Sequence, residues 1–451
     1  MVNMINVPED VKKLIQILKR NGYEAYVVGG CVRDSIIGRK PKDWDICTNA
    51  DPWEVIKLFE TEKYNVIPTG LEYGTVTVVS NKINYEITTY RIDGEYRNSR
   101  FPEIQFADSL VTDLSRRDFT MNAMAYDYEF DTLIDPFNGW LAIKQGMIKC
   151  VGNASDRFKE DALRILRAVR FSAQLGFDID SNDKYAIYKE KAGLKNISGE
   201  RIRAELNKIL IADPSKLETF AAEVAFDVVI PELTKLREIS QNNPYHIYDV
   251  YGHTIEATKY IEPELHLRLA ALFHDLGKAE TKTTDKDGID HFYGHEVPSE
   301  KLADTVLRRL RYDNATVQKV TTLIKYHSRR VEPNKKAIKR FINQIGEDLF
   351  FDWCKLRWAD ICAQNPICLK ERAKKIFIIE QLGKEIIDNK EPFSRKDLAI
   401  NGRDLIAIGF EPGTKLGETL DYLLDIVIDN QESNTYDILI EKAKERLATN
   451  E

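Results

Sequence analysis

The chain has 451 residues, of which 43% are hydrophobic and 30% charged, and its formal net charge is −7. This length suits about three folded domains, and no apolar run approaches the roughly 18 residues of a membrane span. The six cysteines form no CxxC pair, which argues against a disulfide framework or a zinc knuckle. We therefore expect a cytoplasmic protein with no membrane association.

The first 150 residues predict a small α/β domain. Apolar residues at helical spacing, then at alternating spacing, define its elements. In chain order these are a helix over 8–21, a strand over 26–28, a helix over 32–37, a strand over 44–47, a helix from 51, and a hairpin of strands 74–80 and 83–90.

The rest of the chain predicts helices almost throughout. We expect one long helix over 156–175, ended by Gly176, and another that begins at Ser198. The sequence thus indicates an α/β head with a small mixed sheet, followed by an all-α body. We divide the chain into four regions: 1–150, 151–240, 241–345 and 346–451.

Two carboxylates flank one tryptophan in the string Asp43-Trp44-Asp45. On a strand, alternate residues share a face, so Asp43 and Asp45 would lie side by side. Such a pair suits Mg²⁺, which prefers oxygen ligands. Glu86, on the second hairpin strand, is a candidate third carboxylate. The alternative is a solvated turn at a strand end.

A glycine pair, Gly29-Gly30, separates the first strand from the next helix. Glycine lets backbone amides approach phosphate oxygens, and a helix start favours anions. Arg33, in the first turn of that helix, can bind a phosphate through two hydrogen bonds. The alternative is a plain turn with an exposed arginine.

Five strings together resemble the class II tRNA nucleotidyltransferases, the CCA-adding enzymes, with bacterial poly(A) polymerases as close relatives. The strings are GGCVRD (29–34), DWD (43–45), RRDFTMNA (116–123), KEDALRILRAVRF (159–171) and ISGERIRAEL (197–206). The resemblance implies template-independent addition of CCA to the 3′ end of tRNA from CTP and ATP by two-metal nucleotidyl transfer. It implies Mg²⁺ on Asp43 and Asp45, and nucleotide contacts from Gly30, Arg33 and Arg117.

Asp161 and Arg164 lie three residues apart and would share one face of the predicted helix. Aspartate only accepts hydrogen bonds and arginine only donates them. Cytosine and adenine each present an amino donor beside a ring-nitrogen acceptor, so both match such a pair, whereas guanine and uracil do not. The resemblance implies base selection here, with further contacts from Arg167 and Arg170. The alternative is an ordinary helix ion pair.

A polar segment over 91–106 follows the hairpin. It resembles the flexible loop of enzymes that add the complete CCA, and relatives that add only CC have a shortened loop there. Asp93 and Arg97 are candidates for controlling the change from C to A. The alternative is a mobile surface loop.

Most of the histidines lie between 246 and 295. His253, followed by the doublet His274-Asp275, indicates an HD-type helical domain that could hold a second divalent metal. His291, His295 and Asp360 are further candidate ligands. In some members of the family a metal-dependent phosphohydrolase resides there. The alternative is a structural domain with buried, paired histidines.

Two basic clusters could contact tRNA phosphates, since such contacts need no base code. They comprise residues 308–311 and 329–340. We expect no obligate protein partner. Two other functions remain open: a poly(A) polymerase or CC- or A-adding relative, and a phosphohydrolase of the HD type with a degenerate head.

Overall fold

The computed structural model describes residues 5–97 and 101–449, and within these ranges the side chains of residues 93–97, 101–104 and 368 are not described. The chain divides into two units, 1–231 and 232–451.

A seven-stranded mixed sheet organises the first unit. Its spatial order is β3-β4-β5-β2-β1-β8-β9, in which β2 and β5 are parallel and the other neighbours antiparallel. The strands are β1 Ala25–Val28, β2 Asp45–Thr48, β3 Asn65–Ile67, β4 Thr75–Ser80, β5 Ile83–Thr89, β8 Ala125–Asp127 and β9 Thr132–Ile134. Two separate pairs are β6 Arg91–Arg97 with β7 Phe101–Phe106, and β10 Met147–Ile148 with β11 Asp178–Ile179.

In the described part of this unit, ten helices accompany these strands. They are α1 Glu9–Arg20, α2 Gly30–Ile37, α3 Pro52–Thr61, α4 Leu110–Ser115, α5 Gly139–Lys144, α6 Ala154–Glu160, α7 Leu163–Leu175, α8 Ser181–Glu190, α9 Gly199–Ala212 and α10 Phe220–Val229. The Asp51 side chain caps α3 through a capping box with Glu54, and Pro52 occupies the first turn. This confirms the predicted helix start.

Alternation along the strands places apolar residues on both faces of the sheet. Val27 and Ile46 belong to a buried cluster with α1 and α3, whereas Val28 and Cys47 belong to a second cluster on the opposite face. Trp44 packs against the first cluster. Asp45 is therefore on the opposite face, as period-two geometry predicts.

The predicted hairpin of β4 and β5 is present, with Ser80 paired to Ile83 across the turn. Asn81 and Lys82 both adopt positive φ, 50° and 65°, the conformation of the tight turns that match strand twist. Through this register and the parallel pairing of β2 with β5, Glu86 lies directly beside Asp45. The sheet thus brings two of the three predicted carboxylates together.

Three predicted elements differ from the structure. The helix expected over 156–175 is two helices, α6 and α7, because the backbone at Asp161 is extended (φ −146°, ψ 102°). The second strand begins at Asp45 rather than at Trp44, so Asp43 precedes it. The segment 91–106, predicted as a loop, contributes the paired strands β6 and β7.

The second unit is almost entirely helical in the part that the structure describes. Its helices are α12 Val250–Tyr260, α13 Leu265–Phe273, α14 Lys278–Thr281, α15 Glu296–Arg309, α16 Asn314–Tyr326, α17 Lys335–Ile345, α18 Glu347–Cys362, α19 Pro366–Asp388, α20 Gly402–Ala407, α21 Thr414–Asp429 and α22 Tyr436–Thr449, and the short α11 Pro231–Thr234 spans the division. One two-residue strand pair, β12 Thr283–Thr284 and β13 Asp290–His291, interrupts them. A mixed-sheet head followed by helices confirms the predicted fold class.

Candidate functional site

The glycine pair forms the turn between β1 and α2. Gly29 has a φ of 83°, and a Cβ at this position would lie 2.9 Å from Arg117 Nη1. Only glycine therefore combines this conformation with the close approach of the guanidinium. Gly30 begins α2, whose free N–H groups and positive dipole end favour an anion.

The predicted carboxylates lie at the edge of this turn. Asp45 is partly buried, whereas Asp43 and Glu86 are exposed. Burial raises the pKa of Asp45 to about 6, and the charges of Glu86 and Asp43 add to this while Arg117 opposes it. Three interacting carboxylates of which one is desolvated fit a divalent cation, because its charge would relieve their mutual repulsion.

Asp118 connects three of the five sequence strings through hydrogen bonds. Its carboxylate accepts from Arg167 Nε at 2.8 Å and Nη2 at 2.5 Å, and from Asn122 Nδ2 at 3.0 Å. Asn122 Oδ1 in turn accepts from Arg33 Nη1 at 2.6 Å. Asp118 thereby orients two arginines from two different helices. Sequence reasoning did not single it out, although it stands inside the string RRDFTMNA.

A second buried carboxylate, Asp113, holds the neighbouring arginines. Its Oδ1 accepts from Arg116 at 2.8 Å and its Oδ2 from Arg117 at 3.1 Å. Both pairs join residues three or four apart at the end of α4, so they share one helix face. This contact fixes Arg117 against the glycine turn.

Several of these residues line one cavity of about 530 Å³, among them the glycine pair, Asp45, Asp118 and Asn122. Its lining contains three carboxylates, Asp45, Asp118 and Asp161, and eight arginines, which are Arg33, Arg91, Arg116, Arg117, Arg164, Arg167, Arg170 and Arg201. Positive charge therefore predominates. Such a cavity suits a ligand with several negative charges, for example a triphosphate.

Asp161 and Arg164 both line the cavity, but they do not pair with each other as the prediction of one shared helix face assumed. Asp161 ends α6, and its side chain accepts from Leu163 N at 3.1 Å and from Arg201 Nη2 at 2.6 Å. Arg164 donates to Glu160 Oε2 at 2.6 Å. The extended backbone at Asp161 separates the two side chains, and Arg201, which sequence reasoning missed, becomes the partner of the carboxylate.

The other two arginines of α7 also have fixed positions. Arg167 pairs with Asp118, and Arg170 Nε lies 2.7 Å from Glu205 Oε2 while its guanidinium stacks on Phe171. The candidates Asp93 and Arg97 belong to β6, but their side chains lie outside the described part of the structure.

The second unit brings together the three HD-type candidates. His253 lies on α12, and His274 and Asp275 follow α13 directly; all three are buried, and one ligand atom from each lies within 4.8 Å of the others. Asp360 Oδ1 is 3.2 Å from His253 Nε2. These residues could hold a metal ion.

The remaining histidine candidates divide. His295 Nε2 lies 3.2 Å from Asp275, whereas His291 pairs with Asp285 and, among the described residues, belongs to neither group of possible metal ligands. His327, which sequence reasoning missed, also faces Asp275. It lies 32 residues beyond His295, and no motif in the sequence connects the two.

The predicted basic clusters are largely paired within the chain. Lys335 and Lys339 contact Glu391, and Arg340 contacts Asp425. Arg308 and Arg309 contact Asp304 and Glu232. This pairing favours a solvated helix face over a free phosphate-binding face at these positions.

In the part of the chain that the structure describes, no helix is long and apolar enough to cross a membrane.

Three family models match the chain. The poly(A) polymerase head domain matches residues 25–149, the probable RNA and SrmB-binding site of polymerase A matches 176–236, and the putative domain 2 of tRNA nucleotidyltransferase matches 295–443.

Two curated relatives are both CCA-adding enzymes, and their alignments with this chain differ in length. The CCA-adding enzyme of Anoxybacillus flavithermus is 43% identical over 240 residues, which are 52% of this chain and 59% of that enzyme. The CCA-adding enzyme of Staphylococcus haemolyticus is 32% identical over 442 residues, which are 97% of each chain. The alignment thus spans about three fifths of the first relative and nearly all of the second.

A solved structure has the same fold. The CCA-adding enzyme of Bacillus stearothermophilus, in complex with CTP, has a TM-score of 0.73 and 28% identity, with 98% of this chain and 99% of that chain covered. Together with the near full-length similarity to the Staphylococcus haemolyticus enzyme, this confirms the resemblance predicted from the five strings: the chain belongs to the family of CCA-adding enzymes.

Proposed function

We propose that this chain adds cytidylate and adenylate units from CTP and ATP to the 3′ end of tRNA without a nucleic-acid template. The 3′-hydroxyl gives up its proton to water as its oxygen attacks the α-phosphorus, the bond from that phosphorus to the bridging oxygen breaks, and pyrophosphate leaves. One observation carries the proposal: the cavity of about 530 Å³ joins Asp45 to eight arginines.

The residues around the glycine turn would bind the triphosphate. The N–H groups at the start of α2 and the Arg33 guanidinium are donors suited to phosphate oxygens. Asn122 and Asp118 keep Arg33 in place, and Asp113 keeps Arg117 against the turn. Most of the catalytic benefit would then come from positioning and from charge neutralisation.

Asp43 and Asp45 would hold Mg²⁺, with Glu86 beside them to orient the attacking hydroxyl. When bound, this ion would supply positive charge to the attacking oxygen and to the phosphates. The raised pKa of Asp45 and its two neighbouring carboxylates fit this assignment. Arg117 alone leaves the three negative charges only partly balanced.

Asp161 and Arg164 would select the incoming base. Arg201 donates a hydrogen bond to Asp161 Oδ2. This contact fixes the orientation of the carboxylate, and therefore the direction of its remaining acceptor sites. Arg164 is fixed by Glu160. Arg167 and Arg170 would make further nucleotide contacts. A base with a carbonyl where cytosine and adenine carry an amino group would leave polar groups unpaired.

The test uses tRNA that lacks its 3′ CCA. Asp43→Asn and Asp45→Asn should each lower incorporation of both CTP and ATP by at least about a hundredfold, which corresponds to about 2.7 kcal/mol. Glu60→Gln, an exposed carboxylate of α3, is the matched control and should keep full activity. Near wild-type incorporation by Asp45→Asn would contradict the assignment.

Products separate the closest alternatives. A poly(A) polymerase would extend the RNA with many adenylates, and a CC-adding or A-adding relative would stop after two units or add only one.

We also propose that the four regions 1–150, 151–240, 241–345 and 346–451 correspond to head, neck, HD-type domain and tRNA-binding body.

A second activity is favoured by the buried group of His253, His274 and Asp275. We infer that this group holds one divalent metal ion and supports hydrolysis of a phosphodiester such as a 2′,3′-cyclic nucleotide. Water would attack phosphorus, one ring P–O bond would break, and the ring oxygen would take up the proton. His274→Ala should abolish hydrolysis and retain CTP incorporation.

The same comparison tests the rival in which only the second unit is active and the head is degenerate. That rival predicts no nucleotide incorporation by the wild type and hydrolysis that survives the loss of Asp43 and Asp45. The assembled carboxylates, glycine turn and arginines of the head support nucleotidyl transfer instead.

A further inference from the structure

Three arginines of the proposed nucleotide site surround one phenyl ring. Phe171 is 5% exposed and lines the same cavity as these arginines. From its ring centroid, the guanidinium carbon lies at 4.0 Å for Arg170, 5.1 Å for Arg33 and 5.6 Å for Arg167. Arg33 belongs to α2, whereas Phe171 and the other two arginines belong to α7. The ring therefore contacts cations from two different helices.

Each of the three guanidiniums also has a carboxylate of its own. The ion pairs are Arg33 Nη2 with Asp34 Oδ1 at 2.7 Å, Arg167 Nη2 with Asp118 Oδ2 at 2.5 Å, and Arg170 Nε with Glu205 Oε2 at 2.7 Å. Among the described ion pairs and ring contacts, no carboxylate contacts two of these arginines, and Phe171 is the one side chain that all three share.

The three positive charges repel one another. Burial lowers the pKa of the Arg170 guanidinium, and the charges of Arg167 and Arg33 add to this effect while Glu205 opposes it. The face of an aromatic ring carries partial negative charge and attracts a guanidinium placed within about 6 Å of its centroid. Phe171 therefore provides attraction at the point where the three guanidiniums approach one another.

Attraction by a ring leaves the guanidinium donors available. The N–H bonds of arginine lie in the plane of the guanidinium, whereas the ring attracts the cation as a whole. A further carboxylate in the place of the ring would accept some of these hydrogen bonds and would repel a phosphate. An uncharged ring does neither, so it suits a site that binds an anion.

The ring itself has a fixed position. Phe119 packs against it edge to face, with 5.7 Å between the ring centroids and 84° between the ring planes. Phe119 is fully buried, and its neighbour Asp118 pairs with Arg167. The same short segment therefore holds both the ring and one of the arginines that the ring contacts.

We propose that Phe171 is a positioning residue of the nucleotide site, whose ring keeps Arg33, Arg167 and Arg170 in the arrangement that binds the phosphates of CTP and ATP. The inference rests on the proposed function and adds to it a residue that acts through the arginines. The opposing interpretation is that Phe171 only fills space in the core, in which case the charge distribution of its ring would not matter.

Replacing Phe171 with trifluorophenylalanine distinguishes these interpretations. Fluorine atoms at the three outer ring positions withdraw electron density from the ring face and change its shape little, so they weaken its attraction for cations. We expect the dissociation constant for CTP, measured with Mg²⁺ and without tRNA, to rise at least about threefold. Phe171→Leu, which removes the ring, should raise it at least about tenfold, which corresponds to about 1.4 kcal/mol. A smaller change than threefold in the fluorinated protein would overturn the inference.

Inorganic triphosphate, which has no base and no sugar, should also bind the fluorinated protein more weakly than the wild type. A loss of affinity confined to CTP would place the ring against the base and overturn the positioning role. If Phe171→Leu does not fold, the fluorinated protein, which keeps the ring, decides the question.

Phe226→Leu is the matched control. Phe226 is fully buried on α10 of the same unit, and no cation contacts its ring in the part of the chain that the structure describes. This variant should lower the melting temperature and leave CTP binding unchanged. A wild-type protein that binds no CTP would contradict the proposed function as well, whereas equal CTP affinity in the wild-type and fluorinated proteins would overturn the role of Phe171 alone.

Discussion

Two buried carboxylates of the first unit should respond in opposite ways to the same replacement by asparagine. Burial by itself would raise the pKa of Asp118, but Arg167, Asn122 and the Phe119 N–H hold it below its ordinary value. Asp118 is therefore ionised, and the positive charge of Arg167 compensates its negative charge.

Asp183 has the opposite environment. Burial raises its pKa to about 6, although its side chain accepts from Cys150 N at 2.6 Å. No arginine or lysine forms an ion pair with it among the described contacts; the charge of Asp180 adds to the rise in pKa, and that of Lys149 opposes it. Its ionised form is therefore unfavourable in the folded protein.

For Asp118→Asn we expect a loss of about 3 kcal/mol in the free energy of unfolding, because removing one partner of a buried ion pair leaves the other uncompensated. We take the lower end of the usual range, since the Arg167 side chain is 34% exposed and water can partly replace the carboxylate. For a domain of this size the melting temperature should fall by about 6–12 °C.

For Asp183→Asn we expect the opposite effect on the free energy of unfolding. A carboxyl whose folded pKa lies above its unfolded pKa binds more protons when folded, so its contribution to stability falls as pH rises. With values of about 6 and 3.8, the wild type should gain about 2 kcal/mol between pH 7.5 and pH 4.5 from this group. Asp183→Asn should lack that gain and be neutral or stabilising at pH 7.5.

Urea unfolding of the wild type and both variants at the two pH values measures these differences. The contrast between variants isolates each carboxyl from the other groups that titrate. Asp118→Asn should also raise KM for CTP by about tenfold, because Arg33 and Arg167 lose their common anchor. Equal stability losses for the two variants at pH 7.5 would refute the reasoning.

Three further variants test the site. Gly29→Ala should raise KM for CTP at least about tenfold, since a methyl group there displaces the adjacent guanidinium. Gly22→Ala is the control, because Gly22 has a similar φ of 87° and a Cβ there would have no atom within 4 Å. This control should affect stability alone. The double variant Asp161→Ala/Arg164→Ala should incorporate UTP or GTP or use both correct nucleotides poorly, and Arg201→Gln should weaken discrimination by about tenfold. Unchanged selectivity among the four triphosphates, measured by single-nucleotide incorporation, would assign these residues to structure only.

Local signals made the head predictable. The glycine pair, the alternating strands and the turn at Asn81-Lys82 each have one favourable backbone conformation, so the sequence specifies them without knowledge of distant contacts. The placement of Asp45 beside Glu86 followed from strand pairing. Four of the five family strings also lie within a single element and its adjoining turn, whereas KEDALRILRAVRF spans α6 and α7.

Contacts distant in sequence were the ones missed. The residues around Asp161 have good helix propensity, yet the helix is interrupted there while Arg201, 40 residues on, pairs with the aspartate. His327 faces Asp275 only because α16 packs in the same bundle. Lys339 belongs to a basic run in the sequence, but in the fold it forms an ion pair with Glu391.

Product length on a shortened tRNA tests the central claim most directly. The purified chain is given tRNA that lacks its last three nucleotides, with CTP and ATP together and each alone, and the products are resolved at single-nucleotide length. The account predicts two cytidylates with CTP alone and then one adenylate when both are present, after which synthesis stops. A long adenylate tail, a stop after two units with both nucleotides present, or no extension would contradict it.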